Sequence, residues 1–265
     1  MVIPVKRLAR AKTRLRGAVP GVSHDDLVLG FATDTVVAAI SCPKVTGVVV
    51  VTDEPAVRDA VSKLGARPVS DVPDAGLNPA LTYGAACAAE QWPGTALAAL
   101  GADLPALRPT ELAAALTAAE SHPRAYVADA EGTGTVLLAA APEVPLAPRF
   151  GPDSARAHRE SGAVELRGDW PSLRRDVDTA ADLAEASLLG LGPHTARVTG
   201  VQATVATFDP ESRSGTALLD DGTEVSFDAA AFDASGLRLL RLGQRITLER
   251  DADGRVIRVR IPTMS

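Results

Sequence analysis

The sequence of 265 residues has few cysteines and few aromatic residues, and it lacks long apolar runs. Its two cysteines, Cys42 and Cys87, lie far apart without metal-ligand spacing, so we expect buried, reduced thiols in a reducing compartment rather than a disulfide or a metal site. No uninterrupted apolar run is long enough to cross a membrane. The opening segment "MVIPVKRL" lacks the charged region followed by an apolar region that signal peptides have. These absences predict a cytoplasmic protein with no membrane partner.

Several common chemical motifs are also missing. The sequence has no His/Cys cluster with zinc-ligand spacing, no G-x-x-x-x-G-K-S/T loop of a Walker-type ATPase and no G-x-S-x-G turn. The formal net charge of −6 argues against a general nucleic-acid or membrane-surface binder. With 46% hydrophobic and 23% charged residues the composition is that of a globular protein. Its length allows one large domain, or one domain with a small appendage.

Strand and helix patterns alternate along the first part of the chain. Apolar runs bounded by Gly, Pro or Asp predict strands at 2–5, 46–53 and 95–103, although the alanines of the third run leave a helix open as the alternative. Amphipathic or capped patterns predict helices at 24–40, 54–65 and 109–120. This alternation predicts an α/β fold with a mostly parallel sheet covered by helices on both faces. Ligands of such sheets bind beyond the carboxyl ends of the strands.

The last quarter of the chain has a different pattern. After "LGPHTARVTG" (191–200), short alternating strands are separated by Asp-Gly turns at 221–222 and 253–254. We therefore expect a small antiparallel all-β barrel, with domain boundaries at 1–198 and 199–265.

A basic loop and an isolated carboxylate indicate where the chemistry lies. Asp103 ends the run "TALAALGAD", where a lone carboxylate is costly unless a positive group meets it. The loop "VKRLARAKTRL" follows the first strand and supplies five cations: Lys6, Arg7, Arg10, Lys12 and Arg14. If the loop were helical it would be only a solvated basic face. Its position at the carboxyl end of a strand favours cations that bind a polyphosphate.

Two further carboxylates lie in "RRDVDTAADLAEA" (174–186). Asp176 and Asp178 are two residues apart, which would place both on one face of a strand. With Asp103, one or both would form a carboxylate pair for a hard cation such as Mg²⁺, and the sequence leaves open which of the two is the second ligand. Thr179 is predicted to begin a helix with Asp182 as its capping-box partner.

Three segments rich in small residues complete the set of candidate binding elements. In "DAGLNPAL" (74–81), Gly76 allows close backbone approach and Asn78 could contact a base or ribose, although an ordinary Asn-Pro turn explains both. The segment "AEGTGTVLLAA" (130–140), which includes Thr135, is either an anion-binding nest or a hairpin turn. In "RFGPDSARAHRESG" (149–162) a helix start with Gly151 and Ser154 could bind phosphate, or Ser154 could be a simple cap. We interpret His158 in this segment as a surface histidine.

The ordered set "IPVKRLARAKTRL", "GLN", "GADLP", "GTGT", "FGPDS" and "DVDTAADL" resembles one family. It is similar to the guanylyltransferases of coenzyme F-420 biosynthesis, namely the archaeal 2-phospho-L-lactate and bacterial phosphoenolpyruvate enzymes. The resemblance covers residues 1 to about 198 and implies a GT-A-like, Rossmann-like nucleotidyltransferase fold. The sequence departs from the family in a clipped first strand, in Thr13 where serine is frequent, and in "GADLP" where His-Ala-Asp is more usual.

The resemblance also implies roles for individual residues. GTP phosphates would be held by Lys6, Lys12 and Arg14. Guanosine would be contacted by Gly76 and Asn78. Mg²⁺ would be bound by Asp103 with Asp176 or Asp178. The phosphate and carboxylate of the acceptor would be bound by Thr135, Gly151 and Ser154.

The reaction implied by the resemblance is transfer of GMP from GTP to the phosphate of phosphoenolpyruvate or 2-phospho-L-lactate, with release of pyrophosphate. Alternatives are 3-phosphoglycerate as the acceptor, or another nucleotidyltransferase of the molybdenum-cofactor or sugar-nucleotide type. An RNA-binding regulatory protein with an inactive α/β scaffold is the alternative from a different class. The next enzyme of the coenzyme F-420 pathway is a further partner that the resemblance suggests.

The C-terminal residues 199–265 resemble a cold-shock-type OB barrel. Such barrels stack single-stranded bases on surface aromatic rings. This segment keeps Phe227 of the usual aromatic cluster, with Phe208 upstream, and its acidic residues outnumber its arginines ten to eight. Nucleic acid is therefore not an expected partner, and a structural or protein-contact role is predicted.

Overall fold

The computed structural model describes residues 1–8, 12–19, 22–72, 74–219, 222–250 and 255–261. The chain divides into two compact units, residues 1–194 and 195–265. No helix among the described residues is both long and apolar enough to span a membrane. The functional boundaries at 1–198 and 199–265 stay a prediction.

The described part of the N-terminal unit contains a seven-stranded sheet. Its strands are β1 (Val2–Pro4), β2 (Val49–Val51), β3 (Arg67–Val69), β4 (Leu97–Leu100), β5 (Arg124–Ala128), β6 (Thr135–Ala140) and β7 (Val164–Glu165). They lie in the order β3-β2-β1-β4-β6-β5-β7. Only β6 runs antiparallel to its neighbours, β4 and β5, among these strands. The predicted mostly parallel α/β sheet is therefore confirmed.

Helices connect the strands in the predicted alternation. They are α1 (His24–Ile40), α2 (Pro55–Lys63), α3 (Leu77–Gln91), α4 (Pro109–Ala119), α5 (Ser154–Glu160), α6 (Pro171–Arg174), α7 (Ala180–Leu189) and α8 (Pro193–Thr199). The helices predicted at 24–40, 54–65 and 109–120 correspond to α1, α2 and α4. Thr179 caps α7 in a complete capping box with Asp182, as predicted.

Apolar side chains from the two faces of the sheet enter two separate cores. In β1, for example, Val2 belongs to one core and the next residue, Ile3, belongs to the other. The reason is that successive side chains of a strand point to opposite faces of the sheet. Helix α3 packs closely on one face. A Cβ at Gly84 would lie 2.5 Å from a methyl group of Val51 and 2.6 Å from one of Val2. This close packing explains why α3 is rich in small residues.

Two local predictions need correction. The third predicted strand, 95–103, is shorter, since β4 ends at Leu100. Residues Asp176 to Asp178 form no strand but an irregular segment between α6 and α7. A backbone hydrogen bond, in which Val177 N donates to Asp103 O at 3.0 Å, joins this segment to the end of β4. Because Val177 is buried and its neighbours are not, the alternating pattern exists without a strand.

The described residues of the C-terminal unit form an antiparallel sheet with one short helix in it, and residues 195–199 of α8 also belong to this unit. Its strands are β8 (Val201–Asp209), β9 (Ser214–Leu219), β10 (Glu224–Phe227), β11 (Arg245–Arg250) and β12 (Val256–Arg260), and its helix is α9 (Ala229–Asp233). The order β10-β9-β8-β11-β12 contains only antiparallel pairs. The antiparallel prediction is confirmed, whereas the OB assignment stays a prediction. Of the two predicted Asp-Gly turns, only Gly222 lies within the described residues.

Candidate functional site

The carboxyl ends of the parallel strands open into a pocket of about 680 Å³. It collects most of the residues singled out in the sequence: Lys6, Lys12, Arg14, Asp103, Thr135, Gly151, Ser154, Asp176 and Asp178. Gly76 lines a neighbouring pocket of about 300 Å³, which shares Pro4, Val5, Lys6 and Leu77 with the first. Arg10 of the basic loop lies outside the described residues. Segments far apart in sequence therefore meet at the edge where ligands of α/β sheets bind.

Lys12 is the positive partner of Asp103. Its ammonium forms ion pairs with the carboxylates of both Asp103 and Asp178. Burial lowers the pKa of Lys12, but the two carboxylates outweigh this effect and raise it above its usual value. The backbone of Lys12 adopts the left-handed conformation, with φ of 48°. This conformation is uncommon for residues other than glycine.

The backbone around Asp103 is fixed from two sides. The N–H of Leu104 donates to the buried hydroxyl of Thr35 in α1 at 3.1 Å, and the Asp103 carbonyl accepts the bond from Val177 described above. A Cβ at Gly101 would lie 2.7 Å from the Asp103 carboxylate. Glycine at that position therefore leaves room for the carboxylate at the end of β4.

Asp176 lies in an environment with too much negative charge. Burial raises the pKa of its carboxyl group to about 7, and the charges of Asp103, Asp178 and Asp129 act in the same direction, against the opposing effect of Lys12. A single lysine thus does not neutralise the carboxylates around it. Hard oxygen donors with excess negative charge suit a divalent cation such as Mg²⁺.

Sequence reasoning missed two members of this carboxylate group, Asp129 and Glu131. Asp129 follows the apolar strand β5 just as Asp103 follows β4, so the same signal was present in "AYVAD". The carboxylate oxygens of Asp129, Glu131 and Asp176 include three that lie within 4.8 Å of one another. Glu131 also faces Arg175 at 3.6 Å. The acidic region is therefore wider than the predicted set of Asp103, Asp176 and Asp178.

Asp129 also shapes the loop "GTGT". Its two carboxylate oxygens accept the backbone N–H groups of Thr133 at 2.9 Å and Gly134 at 2.7 Å. A Cβ at Gly134 would lie only 2.3 Å from one of those oxygens. The loop connects the antiparallel strands β5 and β6 and also lines the main pocket. It is a hairpin turn whose backbone is held in place by a carboxylate.

His158 is not the surface residue that the sequence suggested. It is fully buried, its Nδ1 lies 2.9 Å from the hydroxyl oxygen of Thr135, and its Nε2 accepts the backbone N–H of Arg149 at 2.9 Å. Burial lowers the pKa of the imidazole to about 4, with further contributions from Arg124 and Arg149. The prediction was wrong because α5 is too short to display a helical burial pattern.

Asn78 makes two hydrogen bonds within the protein. Its amide nitrogen donates to the carbonyl of Phe150 at 2.9 Å, and its amide oxygen accepts the N–H of Phe150 at 2.8 Å. These bonds fix the segment that carries Gly151. Contact of Asn78 with guanosine stays a prediction. Gly76 is the N-cap residue that precedes α3. Its φ of 107° is a conformation that favours glycine.

The family model that matches this chain defines it as a nucleotidyltransferase. Residues 31–177 match the model of the MobA-like NTP transferase domain. A putative nucleotide-diphospho-sugar transferase from Desulfovibrio desulfuricans has a similar fold, with a TM-score of 0.50, 16% identity and coverage of 69% of this chain and 83% of that chain.

Sequence comparison narrows the class. The chain is 60% identical to a phosphoenolpyruvate guanylyltransferase from Salinispora arenicola, over 78% of this chain and 95% of that protein. It is 56% identical to one from Geodermatophilus obscurus, over 76% of this chain and 93% of that protein. The chain belongs to the phosphoenolpyruvate guanylyltransferase family.

Proposed function

We propose that this protein transfers GMP from GTP to the phosphate of phosphoenolpyruvate and releases pyrophosphate, a step of coenzyme F-420 biosynthesis. The observation that carries the proposal is the meeting of three kinds of group in one pocket: the cations Lys6, Lys12 and Arg14, the carboxylates, and the small-residue loops. The names of the relatives described above support the same donor and acceptor.

The two adjoining pockets suit the two parts of GTP. In this proposal the cations of the first loop hold the phosphates, which is supported by their place in the main pocket and by Lys6, which lines both pockets. Gly76 lines the smaller pocket together with Asp53, Asp71 and Asp74. An ionised carboxylate only accepts hydrogen bonds, and guanine offers the donors N1–H and the 2-amino group on one edge. An acidic guanosine pocket therefore favours GTP over ATP.

The acceptor is proposed to occupy the side of the main pocket formed by Thr135, Gly151 and Ser154. Ser154 is buried, and its hydroxyl with that of Thr135 offers neutral donors for the phosphate and carboxylate of a phospho-acid. Phosphoenolpyruvate and 2-phospho-L-lactate differ by only two hydrogens, so both present the same charged groups to these residues.

The carboxylates of Asp103, Asp176 and Asp178 fit Mg²⁺ in donor type and in their uncompensated charge. When bound, Mg²⁺ would neutralise phosphate charge and polarise the phosphoryl group. Lys12 contacts the carboxylates of Asp103 and Asp178, which supports a position for it between the acidic region and the phosphates of GTP.

The chain's own task is positioning and charge neutralisation. The acceptor phosphate is ionised at neutral pH, so its oxygen attacks the α-phosphorus of GTP without help from a protein base. The new bond forms between that oxygen and phosphorus, and the bond to the bridging oxygen of pyrophosphate breaks. Lys6, Lys12 and Arg14 hold the negative charge of the departing pyrophosphate, while Thr135 and Ser154 hold the acceptor in line.

Pyrophosphate release tests the proposal directly. We would measure it with GTP, ATP and CTP, each combined with phosphoenolpyruvate, 2-phospho-L-lactate and 3-phospho-D-glycerate. The expected result is the highest kcat/KM with GTP and phosphoenolpyruvate. A preference for CTP or ATP would indicate a different nucleotidyltransferase. Absence of release with every pair, together with tight RNA binding, would favour a regulatory protein with an inactive scaffold.

A further inference from the structure

A buried histidine lies directly beneath the acceptor side of the pocket. His158 on α5 packs between the rings of Tyr126 and Phe150, with ring centroids 5.9 Å and 5.0 Å away. It does not line the pocket itself, and the proposed reaction assigns it no step. Its hydrogen bonds nevertheless reach the pocket wall through Thr135.

The hydrogen bond from Arg149 determines which ring nitrogen carries the proton. A backbone N–H can only donate, so Nε2 of His158 accepts it with its lone pair at 2.9 Å. The positive charges of Arg124 and Arg149 and the burial of the ring keep the imidazole neutral at neutral pH. A neutral imidazole without a proton on Nε2 has its proton on Nδ1.

The proton on Nδ1 determines the direction of the next hydrogen bond. An Nδ1–H can only donate, so the Thr135 hydroxyl oxygen, 2.9 Å away, accepts from it, and the backbone of Ser154 offers the ring a second hydrogen bond. The Thr135 hydroxyl therefore accepts from the histidine, and its own proton is directed elsewhere. Among the described residues the Thr135 hydroxyl makes its hydrogen bond with His158 and no second one, and Thr135 lines the main pocket beside Gly134 and Ser154.

We propose that His158 is a positioning residue that makes the Thr135 hydroxyl a hydrogen-bond donor toward the anionic acceptor substrate. This inference rests on the proposed function for the identity of that substrate. A carboxylate or phosphate oxygen only accepts, so a hydroxyl that has already accepted a bond is matched to it. If a substrate placed a hydrogen-bond donor at this position, its proton and the proton of the Thr135 hydroxyl would face each other without an acceptor.

The tautomer can be measured without any enzymatic activity. Long-range proton–nitrogen NMR correlation on the unaltered protein at neutral pH reports which ring nitrogen of His158 is protonated. We expect a protonated Nδ1 and an unprotonated Nε2. A proton on Nε2, or a doubly protonated ring, overturns the proposal. This measurement stands even if phosphoenolpyruvate proves not to be the acceptor, so the two failures are distinguishable.

Two isosteric variants separate the donor role from simple packing. In His158→Asn the amide nitrogen takes the place of Nδ1 and still donates to Thr135. In His158→Gln the amide oxygen takes the place of Nε2 and accepts from Arg149, but Thr135 loses its donor. We expect the acceptor KM of His158→Gln to exceed that of His158→Asn by about fivefold, the effect of one hydrogen bond, with the KM for GTP unchanged in both.

A Thr135→Val background completes the experiment. Without the hydroxyl, His158→Asn and His158→Gln should have equal acceptor KM values, because the difference between them acts only through Thr135. Equal values in the presence of Thr135, or a difference that persists without it, overturn the proposal. Thermal unfolding of each variant identifies any that fails to fold, and the NMR measurement on the unaltered chain then decides alone.

Discussion

The two units of the chain use charged side chains in different ways. In residues 1–194, carboxylates gather around Lys12, and the pKa of Asp176 rises to about 7, first through burial and then through its acidic neighbours. In residues 195–265, acidic groups face arginines, as in Arg213–Asp233 at 3.0 Å and Arg255–Asp228. Matched exposed pairs contribute little to stability. Unmatched charge is costly to fold and is retained where a ligand compensates it.

Aromatic packing shows the same contrast. In the N-terminal unit, Phe150 makes an edge contact with His158, directly under the loop that lines the pocket. In the C-terminal unit, Phe208 contacts Phe227 and Phe232 with centroids 6.3 Å and 4.8 Å apart. Phe227 and Phe232 are both buried. Rings pack beside a pocket in one unit and fill a core in the other.

The largest expected effect comes from removing the first carboxylate of the site. Asp103→Ala should lower kcat by about a thousandfold, because the site loses a carboxylate that would hold Mg²⁺ against the phosphates of GTP. The thermal unfolding temperature should stay near that of the unaltered protein. Asp59→Ala, on the exposed face of α2, is the matched control and should change neither. Near-normal turnover of Asp103→Ala in the presence of Mg²⁺ would contradict the metal assignment.

A smaller effect separates two aspartates that bind backbone N–H groups in the two units. Asp129 accepts two bonds from the "GTGT" loop, and Asp228 caps α9 by accepting from Ala231 N at 2.9 Å. Asp129→Ala should raise the acceptor KM by about tenfold, because the loop is no longer fixed. Asp228→Ala should lower the thermal stability of the protein, because α9 loses its cap, and leave both KM values unchanged.

The kinetic pattern of Asp129→Ala discriminates between two roles. An increase confined to the acceptor KM fits an aspartate that shapes the loop. An equal increase in the KM for GTP would show instead that Asp129 belongs to the phosphate and metal region, where its carboxylate lies within 4.8 Å of that of Asp176.

The sequence predicted the fold and the place of Asp103 after a buried strand because those signals are local, whereas the role of Asp103 stays a prediction. An apolar run that ends in aspartate is visible in one window, although the same signal at Asp129 was overlooked. The burial of His158 depends on Thr135 and Arg149, which are 23 and 9 residues away and belong to other segments. The strand expected around Val177 does not form. An alternating pattern in the sequence looks the same whether or not a neighbouring strand is there to pair with it.

Acid should affect the two units differently, and two groups in the N-terminal unit oppose each other. The pKa of His158 is lowered to about 4 by burial, so the unfolded chain binds the extra proton between pH 6.5 and 4 and stability falls as pH falls. The pKa of Asp176 is raised to about 7, so the folded chain binds the extra proton below pH 7 and stability rises as pH falls. We expect these contributions to offset each other.

Asp176→Asn exposes the histidine contribution. Without divalent cations, this variant should lose roughly 1–2 kcal/mol of stability between pH 7 and pH 5, while the unaltered protein changes less over the same range. Chemical denaturation at each pH measures this. Asp228 in the C-terminal unit serves as the internal reference. Hydrogen bonds from Ala231 N and Arg255 lower the pKa of its carboxyl group, so the contribution of Asp228 to stability is lost only below about pH 4. If the free energy of unfolding depended on pH equally in Asp176→Asn and in the unaltered protein, the opposing contributions assigned to His158 and Asp176 would be contradicted.

The smallest expected effect concerns nucleic acid. A stacking platform needs exposed rings and positive charge, but Phe227 and Phe232 are buried and acidic residues outnumber arginines in this unit. Fluorescence anisotropy with the full chain and a labelled single-stranded oligonucleotide at low salt should give a Kd of about 10⁻⁴ M or weaker. Tight, salt-sensitive binding that Phe208→Ala abolishes would show that the half-buried ring of Phe208 forms a binding surface, and the contrast between the two units would then disappear.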